Sequence, residues 1–156
     1  FSNNKIEELK YAGHEIVYVN LDVNIDTFKP VSVEYLEDHE IHNENYNITK
    51  SDFEKIIDAK NNNVDIYCVG TTSLRAIETA YLTRDLSGST KYFIYPDTKI
   101  NIPNYLITNF HAPKSSLLSI VACIYGQQWP SLYEYALKKG LKFLSFGDAV
   151  LFKVHE

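Results

Sequence analysis

The run Val64-Asp65-Ile66-Tyr67-Cys68-Val69, followed at once by Gly70-Thr71-Thr72, most constrains what this chain can fold into. An apolar run with almost no exposed face belongs in the middle of an α/β sheet. The glycine and two threonines turn it sharply into a helix, predicted from about Ser73 to Asp85. Further strands are predicted over Glu15–Val23, Glu44–Ile48, Lys91–Tyr95, Tyr105–Thr108, Lys142–Phe146 and Ala149–Val154. Helices are predicted over Asn3–Ala12, from a capping box at Ser51-Asp52-Phe53-Glu54 to about Lys60, over Pro113–Tyr125, and from Pro130-Ser131 to Gly140. In the last of these, Ser131 and Glu134 stand at capping-box spacing. Asn24–Pro30 and Leu86–Ser89 read as loops, and Val31–Ile41 as extended with a turn near Glu37-Asp38.

Strands alternating with helical stretches of about 10–15 residues predict a layered α/β/α sandwich with a mostly parallel sheet. The whole length, 1–156, reads as one such domain, and 156 residues suffice for a real core. No apolar run approaches the ~20 residues that cross a bilayer, so no membrane partner is expected. Phe1-Ser2-Asn3-Asn4 lacks the basic and apolar regions of a signal peptide, and the chain holds no methionine. It therefore reads as a piece that begins inside a longer protein. Cys68 and Cys123 sit in apolar segments and read as buried free thiols, which fits a reducing, cytoplasmic compartment. No Cys/His spacing resembles a zinc site, so no metal is expected.

Ligands of such sheets bind beyond the carboxyl ends of the strands. Two strand-to-helix corners there are unusually polar. At Thr108–Ser115, Pro113 suits a first helical turn, leaving the amides of Lys114, Ser115 and Ser116 to point out of the helix end. Lys114, two serine hydroxyls and free amides suit an anion. The plainer reading is a capped helix whose lysine points into water. At Gly70–Arg75, a tight glycine, hydroxyls on Thr71 and Thr72, and a cation in the first turn repeat the arrangement. Neither a Walker A loop nor a G-x-G-x-x-G turn is present. Arg75 and Glu78, three apart, can also simply pair on the helix surface.

His39-Glu40-Ile41-His42-Asn43-Glu44 places His42 and Glu44 on one side of an extended segment. Acid/base work by either is one reading, a polar edge strand the other. Asp148, after Gly147, reads as a turn residue. Trp129, Tyr125 and Tyr133 read as core packing. Lys138, Lys139 and Lys142 form either a local basic patch or a solvated face. The net charge of −5 gives no general pull toward nucleic acid.

In order and spacing, Gly70–Arg75, Phe93–Pro96, Leu106–Leu118 and Phe143–Ala149 resemble one family, the S-adenosylmethionine:tRNA ribosyltransferase-isomerases of queuosine biosynthesis. Thr108-Asn109-Phe110-His111-Ala112-Pro113-Lys114-Ser115 matches that family's Thr-Asn-Phe-His-x-Pro-Lys-Ser stretch. His39, His42 and Glu44 match its His-x-x-His-x-Glu pattern. The resemblance covers nearly all of this chain but only the C-terminal part of the family's two-domain proteins, whose inserted β-barrel is absent here.

The resemblance implies a transferase and isomerase that uses S-adenosylmethionine as ribosyl donor. It moves the ribose onto 7-aminomethyl-7-deazaguanine at the wobble position of tRNA, giving epoxyqueuosine with release of adenine and methionine. His42 or His111 would be the base, oriented by Glu44 or Asp148. Thr71, Thr72, Arg75, Thr108, Asn109, Lys114 and Ser115 would hold the methionine carboxylate or an RNA phosphate. A cytoplasmic monomer with tRNA as its partner is expected. The family's Leu-His-Val-Gly-x-Gly-Thr-Phe-x-Pro-Val loop reads here Leu21-Asp22-Val23-Asn24-Ile25-Asp26-Thr27-Phe28-Lys29-Pro30-Val31. That change supports a second reading, a catalytically silent relative acting as an RNA- or protein-binding module. A third, independent of the resemblance, is another α/β enzyme binding an anionic metabolite at the two corners.

Overall fold

A computed structural model describes residues 1–24, 31–33 and 35–154. The predicted loop at Asn24–Pro30 lies outside the described residues from Ile25 onward. In chain order the elements are α1 (Asn3–Tyr11), β1 (Asn20–Leu21), β2 (Glu44–Asn47), α2 (Lys50–Asn61), β3 (Tyr67–Val69), α3 (Thr71–Thr83), β4 (Ser87–Thr90), β5 (Tyr105–Asn109), α4 (Ser116–Tyr125), α5 (Trp129–Lys138) and β6 (Ala149–Lys153). Short 3-10 turns sit at Leu36–Asp38 and Gly126–Gln128. No helix among the described residues is long and apolar enough to cross a membrane.

The α/β class stands as expected, while the strand pairing departs from a mostly parallel sheet. One three-stranded sheet, β1-β2-β4, is antiparallel throughout. In the other, β3-β5-β6, β3 and β5 are parallel and β6 runs antiparallel to β5. β6 reaches β5 only after α4, α5 and the 139–148 loop, and that loop returns the chain along β5 in the opposite direction. α3 packs against strands of both sheets, β1 on one side and β3 and β5 on the other. Residues 74–80 of α3 are all buried, as a helix inside a core requires.

Such a helix must satisfy its polar side chains internally. Glu78 is 0% exposed and does not pair with Arg75. Its carboxylate accepts from the backbone N–H groups of Asn101 at 2.9 Å and Ile102 at 2.7 Å, and from Asn101 Nδ2 at 2.9 Å. Thr79 Oγ1 donates to the Arg75 carbonyl at 2.8 Å and lies 2.9 Å from Thr90 Oγ1.

Several predicted elements shift for identifiable reasons. The strand expected over Lys91–Tyr95 lies instead at Ser87–Thr90, read as loop, where Gly88 lies against the Tyr46 ring. Lys91–Tyr95 looks strand-like because it is partly buried, but side chains take its carbonyls. Arg75 Nε donates to Tyr92 and Ser119 Oγ to Ile94. The predicted Glu15–Val23 strand pairs only at Asn20–Leu21, and Val64–Val69 only at Tyr67–Val69. β3 also has an exposed face, since Tyr67 and Val69 are 52% and 46% exposed, in register with Tyr105 and Ile107 of β5. Lys142–Phe146 is a closed loop rather than a strand.

Helix starts move by one to three residues. α2 is capped by Thr49, whose Oγ1 accepts from Asp52 N–H at 3.1 Å, and not by a Ser51 box. α5 begins at Trp129 after Gln128, so Ser131 lies inside the helix and caps nothing. The α1 signals hold, with Ser2 Oγ accepting from Lys5 N–H and Gly13 following at φ 89°. Tyr133 stands edge-on to Phe110, Trp129 and Phe143, core packing as expected, whereas Tyr125 touches Phe152 edge-on but stays exposed at the end of α4 and is not part of the core.

Replacing Glu78 by Ala strands the amides of Asn101 and Ile102 in the core. The expected cost is about 3–5 kcal/mol. Urea unfolding of wild-type and Glu78→Ala protein checks it, and a loss below about 1 kcal/mol contradicts the internal-cap assignment.

Candidate functional site

Parallel pairing of β3 with β5 brings the two polar corners side by side. Val69 is in register with Ile107, and Gly70 N–H donates to the Ile107 carbonyl at 2.8 Å. Gly70 then passes from strand to helix at φ 88°, a left-handed conformation that a side chain would strain. Thr71 is buried in the first turn of α3 and Thr72 is exposed.

At the second corner the helix begins later than Pro113. Pro113 and Lys114 form a turn, and Ser115 is the N-cap. Its Oγ accepts from Leu118 N–H at 3.1 Å and donates to the Ala112 carbonyl at 2.8 Å. Lys114 therefore stands before the helix, exposed, at φ 57°. Its carbonyl accepts from Val31 N–H at 2.7 Å.

Arg75 and Glu44 form a buried ion pair, their side chains 8% and 1% exposed. Arg75 Nη1 donates to Glu44 Oε2, Nε to the Tyr92 carbonyl at 2.7 Å, and Nη2 to the carbonyls of Thr90 and His42 at 3.3 and 3.4 Å. Glu44 Oε1 accepts from Asn24 N–H at 2.9 Å. Burial pushes the Arg75 pKa down and the Glu44 carboxylate pushes it back up. An arginine remains charged under such opposing effects. The fork is directed into the protein, where it fixes His42–Glu44 and Thr90–Tyr92 around α3, and Glu44 in turn holds Asn24.

His111 is buried, with Nε2 3.0 Å from Thr108 Oγ1 and its backbone N–H donating to Tyr133 Oη at 3.1 Å. Burial lowers its pKa to about 4, so the ring is neutral near pH 7. Asn109 Nδ2 donates to the carbonyls of Gly147 and Asp148 at 3.3 and 3.2 Å. Asp148 Oδ2 accepts from Lys142 N–H at 2.7 Å, the work of a turn residue. His42 is exposed. His39 meets Phe93 edge-on at 5.2 Å, and its pKa is lowered by burial and then by the His42 charge.

A cleft of about 90 Å³ runs between the corners. Glu44, Thr71, Thr72 and Arg75 line it, together with Leu21, Val23, Phe93, Ser116 and Leu117. His42, Thr108, Asn109, His111, Lys114, Ser115 and Asp148 do not. A polar trough of about 380 Å³ next to it shares Leu21 and Thr72 and is lined by Asn20, Asp22, Asn45 and Asn47. Phe93 and Ser116 lie in stretches singled out by the sequence, yet nothing marked them as lining residues. No group of three or more His, Cys, Asp or Glu among the described residues can hold a metal ion.

The pH dependence of stability carries a His111 signature. Folded His111 resists protonation down to about 4, whereas an unperturbed histidine takes its proton near 6.5. The unfolded state binds more protons within that window, so stability falls as pH drops through it and is fully present above it. The expected contribution is up to about 3 kcal/mol. Denaturant titrations from pH 7 to pH 4.5 check it: His111→Gln is expected to flatten this slope, and an unchanged slope removes His111 as its source. Separately, Arg75→Met leaves Glu44 buried and unpaired, at an expected cost of about 3–5 kcal/mol. Adding Glu44→Gln recovers part of that loss, which a double-mutant cycle measures.

Residues 1–152 match the model of a family described as queuosine biosynthesis protein. The S-adenosylmethionine:tRNA ribosyltransferase-isomerase of Acetivibrio thermocellus is 42% identical over 98% of this chain and 46% of its own length. That of Clostridioides difficile is 39% identical with the same coverage. The crystal structure of S-adenosylmethionine tRNA ribosyltransferase from Thermotoga maritima superposes with a TM-score of 0.79 at 32% identity, over 97% of this chain and 49% of that one. The chain thus spans about half the length of the curated relatives it matches.

Proposed function

Because this chain belongs to the queuosine biosynthesis protein family, we propose that it is the C-terminal α/β portion of a cytoplasmic, monomeric S-adenosylmethionine:tRNA ribosyltransferase-isomerase, with residues 1–156 as one domain. The carrying observation is 42% identity to such an enzyme over 98% of the chain. The reaction moves the ribosyl group of S-adenosylmethionine onto 7-aminomethyl-7-deazaguanine in tRNA. Adenine and methionine leave, and epoxyqueuosine forms. Both S-adenosylmethionine and tRNA are substrates, and no metal is invoked.

The chemistry needs a base for a proton beside the sulfonium, whose positive charge acidifies the neighbouring C–H bonds. His111 or His42 supplies it. His111 has Nε2 3.0 Å from Thr108 Oγ1, which fixes its tautomer. Asp148 acts through the turn it closes, keeping Asn109 and the 142–148 loop in place. Thr71, Thr72, Lys114 and Ser115 meet the methionine carboxylate or an RNA phosphate. Glu44 and Arg75, bonded to one another, shape the cleft wall and do not contact the anion directly.

The second reading, a silent relative that binds RNA or protein, rests on Asp22 and Asn24. They stand where the family's loop motif has histidine and glycine. Asp22 lies in the polar trough and Asn24 N–H is held by Glu44. Calorimetric titration of S-adenosylmethionine into the full-length protein separates the two: binding is expected, and none at millimolar ligand favours the silent relative. Adenine release in the presence of precursor tRNA is expected from the active enzyme. His111→Ala should reduce it at least about 100-fold, and near-normal turnover removes His111 from the base role.

A further inference from the structure

The 142–148 loop carries a side chain that the chemistry above does not use. Phe146 is 102% exposed, its ring as open to water as in an extended chain. Single exposed apolar residues are commonplace on protein surfaces. This one differs in how firmly its backbone is held. Leu144 N–H donates to the Phe110 carbonyl at 2.8 Å, Gly147 N–H to the Leu144 carbonyl at 2.9 Å, and Asp148 N–H to the Lys142 carbonyl at 2.8 Å. Asp148 Oδ2 and Asn109 Nδ2 close the loop from outside. A Cβ on Gly147 would stand 2.3 Å from the Lys142 carbonyl oxygen, so only glycine fits. Phe143 anchors the inner side on Phe110, at 4.9 Å between ring centres. The fold thus presents an aromatic ring to solvent on a preorganised platform, where little ordering entropy remains to be lost on binding.

Its position says what it meets. Asn109, at the carboxyl end of β5, ties this loop to the end of the sheet that holds both polar corners. Lys142 in the loop and Lys114 on the adjoining corner are both exposed, and the loop's one acid, Asp148, has its carboxylate turned to the Lys142 backbone N–H. A bare aromatic face beside cations is what an unpaired base and its phosphates require. We propose that Phe146 is a stacking platform for an unpaired base of the RNA substrate, with Lys142 and Lys114 meeting the neighbouring phosphates. The proposal rests on the tRNA substrate put forward above.

The test uses the full-length protein and a synthetic RNA hairpin carrying the anticodon loop, with 2-aminopurine placed at one loop position at a time. Phe146→Ala is expected to weaken hairpin binding at least about tenfold, at the low end of base–aromatic stacking. It should leave S-adenosylmethionine affinity and binding to a fully paired duplex unchanged. Phe146→Tyr and Phe146→Trp should keep hairpin affinity. Fluorescence of 2-aminopurine should be quenched at one loop position by wild-type protein and not by Phe146→Ala. Unchanged hairpin affinity in Phe146→Ala overturns the proposal. So does Phe146→Leu binding as well as Phe146→Trp, or a lower melting temperature of RNA-free Phe146→Ala with affinity intact, which assigns the ring to a protein contact. If wild-type protein fails to bind the hairpin, the tRNA reading falls as well.

Discussion

The buried pair of Glu44 and Arg75 is the interaction on which the arrangement of this molecule depends. Two charges removed from water must be almost fully hydrogen-bonded, or the desolvation cost exceeds their attraction. Here the surrounding backbone supplies the bonds, from Asn24, His42, Thr90 and Tyr92. Three stretches far apart in sequence are thereby held at one point on α3. Those stretches, with α3 and the start of α4, line the cleft, so neutralising two charges also sets part of its shape. A hydrophobic pair of equal volume would fill the space but leave three backbone carbonyls and an amide without partners.

The same economy recurs along α3 and its neighbours. Glu78 replaces a strand partner for Asn101 and Ile102, Ser119 binds the Ile94 carbonyl, and Asn104 Oδ1 accepts from Ile66 N–H. Short strands with long irregular flanks are possible because buried side chains satisfy the backbone that sheets usually satisfy. The two small sheets are therefore joined less by strand pairing than by polar side chains from helices and loops.

This explains where the sequence was legible. Helix signals at Ser2, Gly13, Gly70 and Gly140 are local, so α1, α3 and the end of α5 fall close to their expected places. The α/β class was legible because apolar runs alternate with helical ones. Lys91–Tyr95 was misread because apolar spacing reports burial, and burial does not say whether a carbonyl meets a strand or an arginine. The two corners were visible as polar breaks between apolar segments. The Glu44–Arg75 pair was not, since its members are widely separated in sequence and no periodicity links them. Nor could spacing alone separate His111, buried and neutral, from His42, exposed; that difference arises from Tyr133, Thr108 and the packing around Phe110.

The place of β6 sets a condition on synthesis. α3 leaves the ribosome with Arg75 and Glu78 already in it, before Asn101, Ile102 or the β5–β6 ladder exist. Until Asn101 and Ile102 arrive, the Glu78 carboxylate can only be hydrated, and α3 cannot be sealed on both sides. The second sheet gains its last strand only from Ala149–Lys153. A nascent chain stalled before that point holds an unfinished sheet and an amphiphilic helix with a charge that resists burial. The pairing of β6 with β5 is thus a contact between segments that two helices separate in sequence, and such non-local contacts form late.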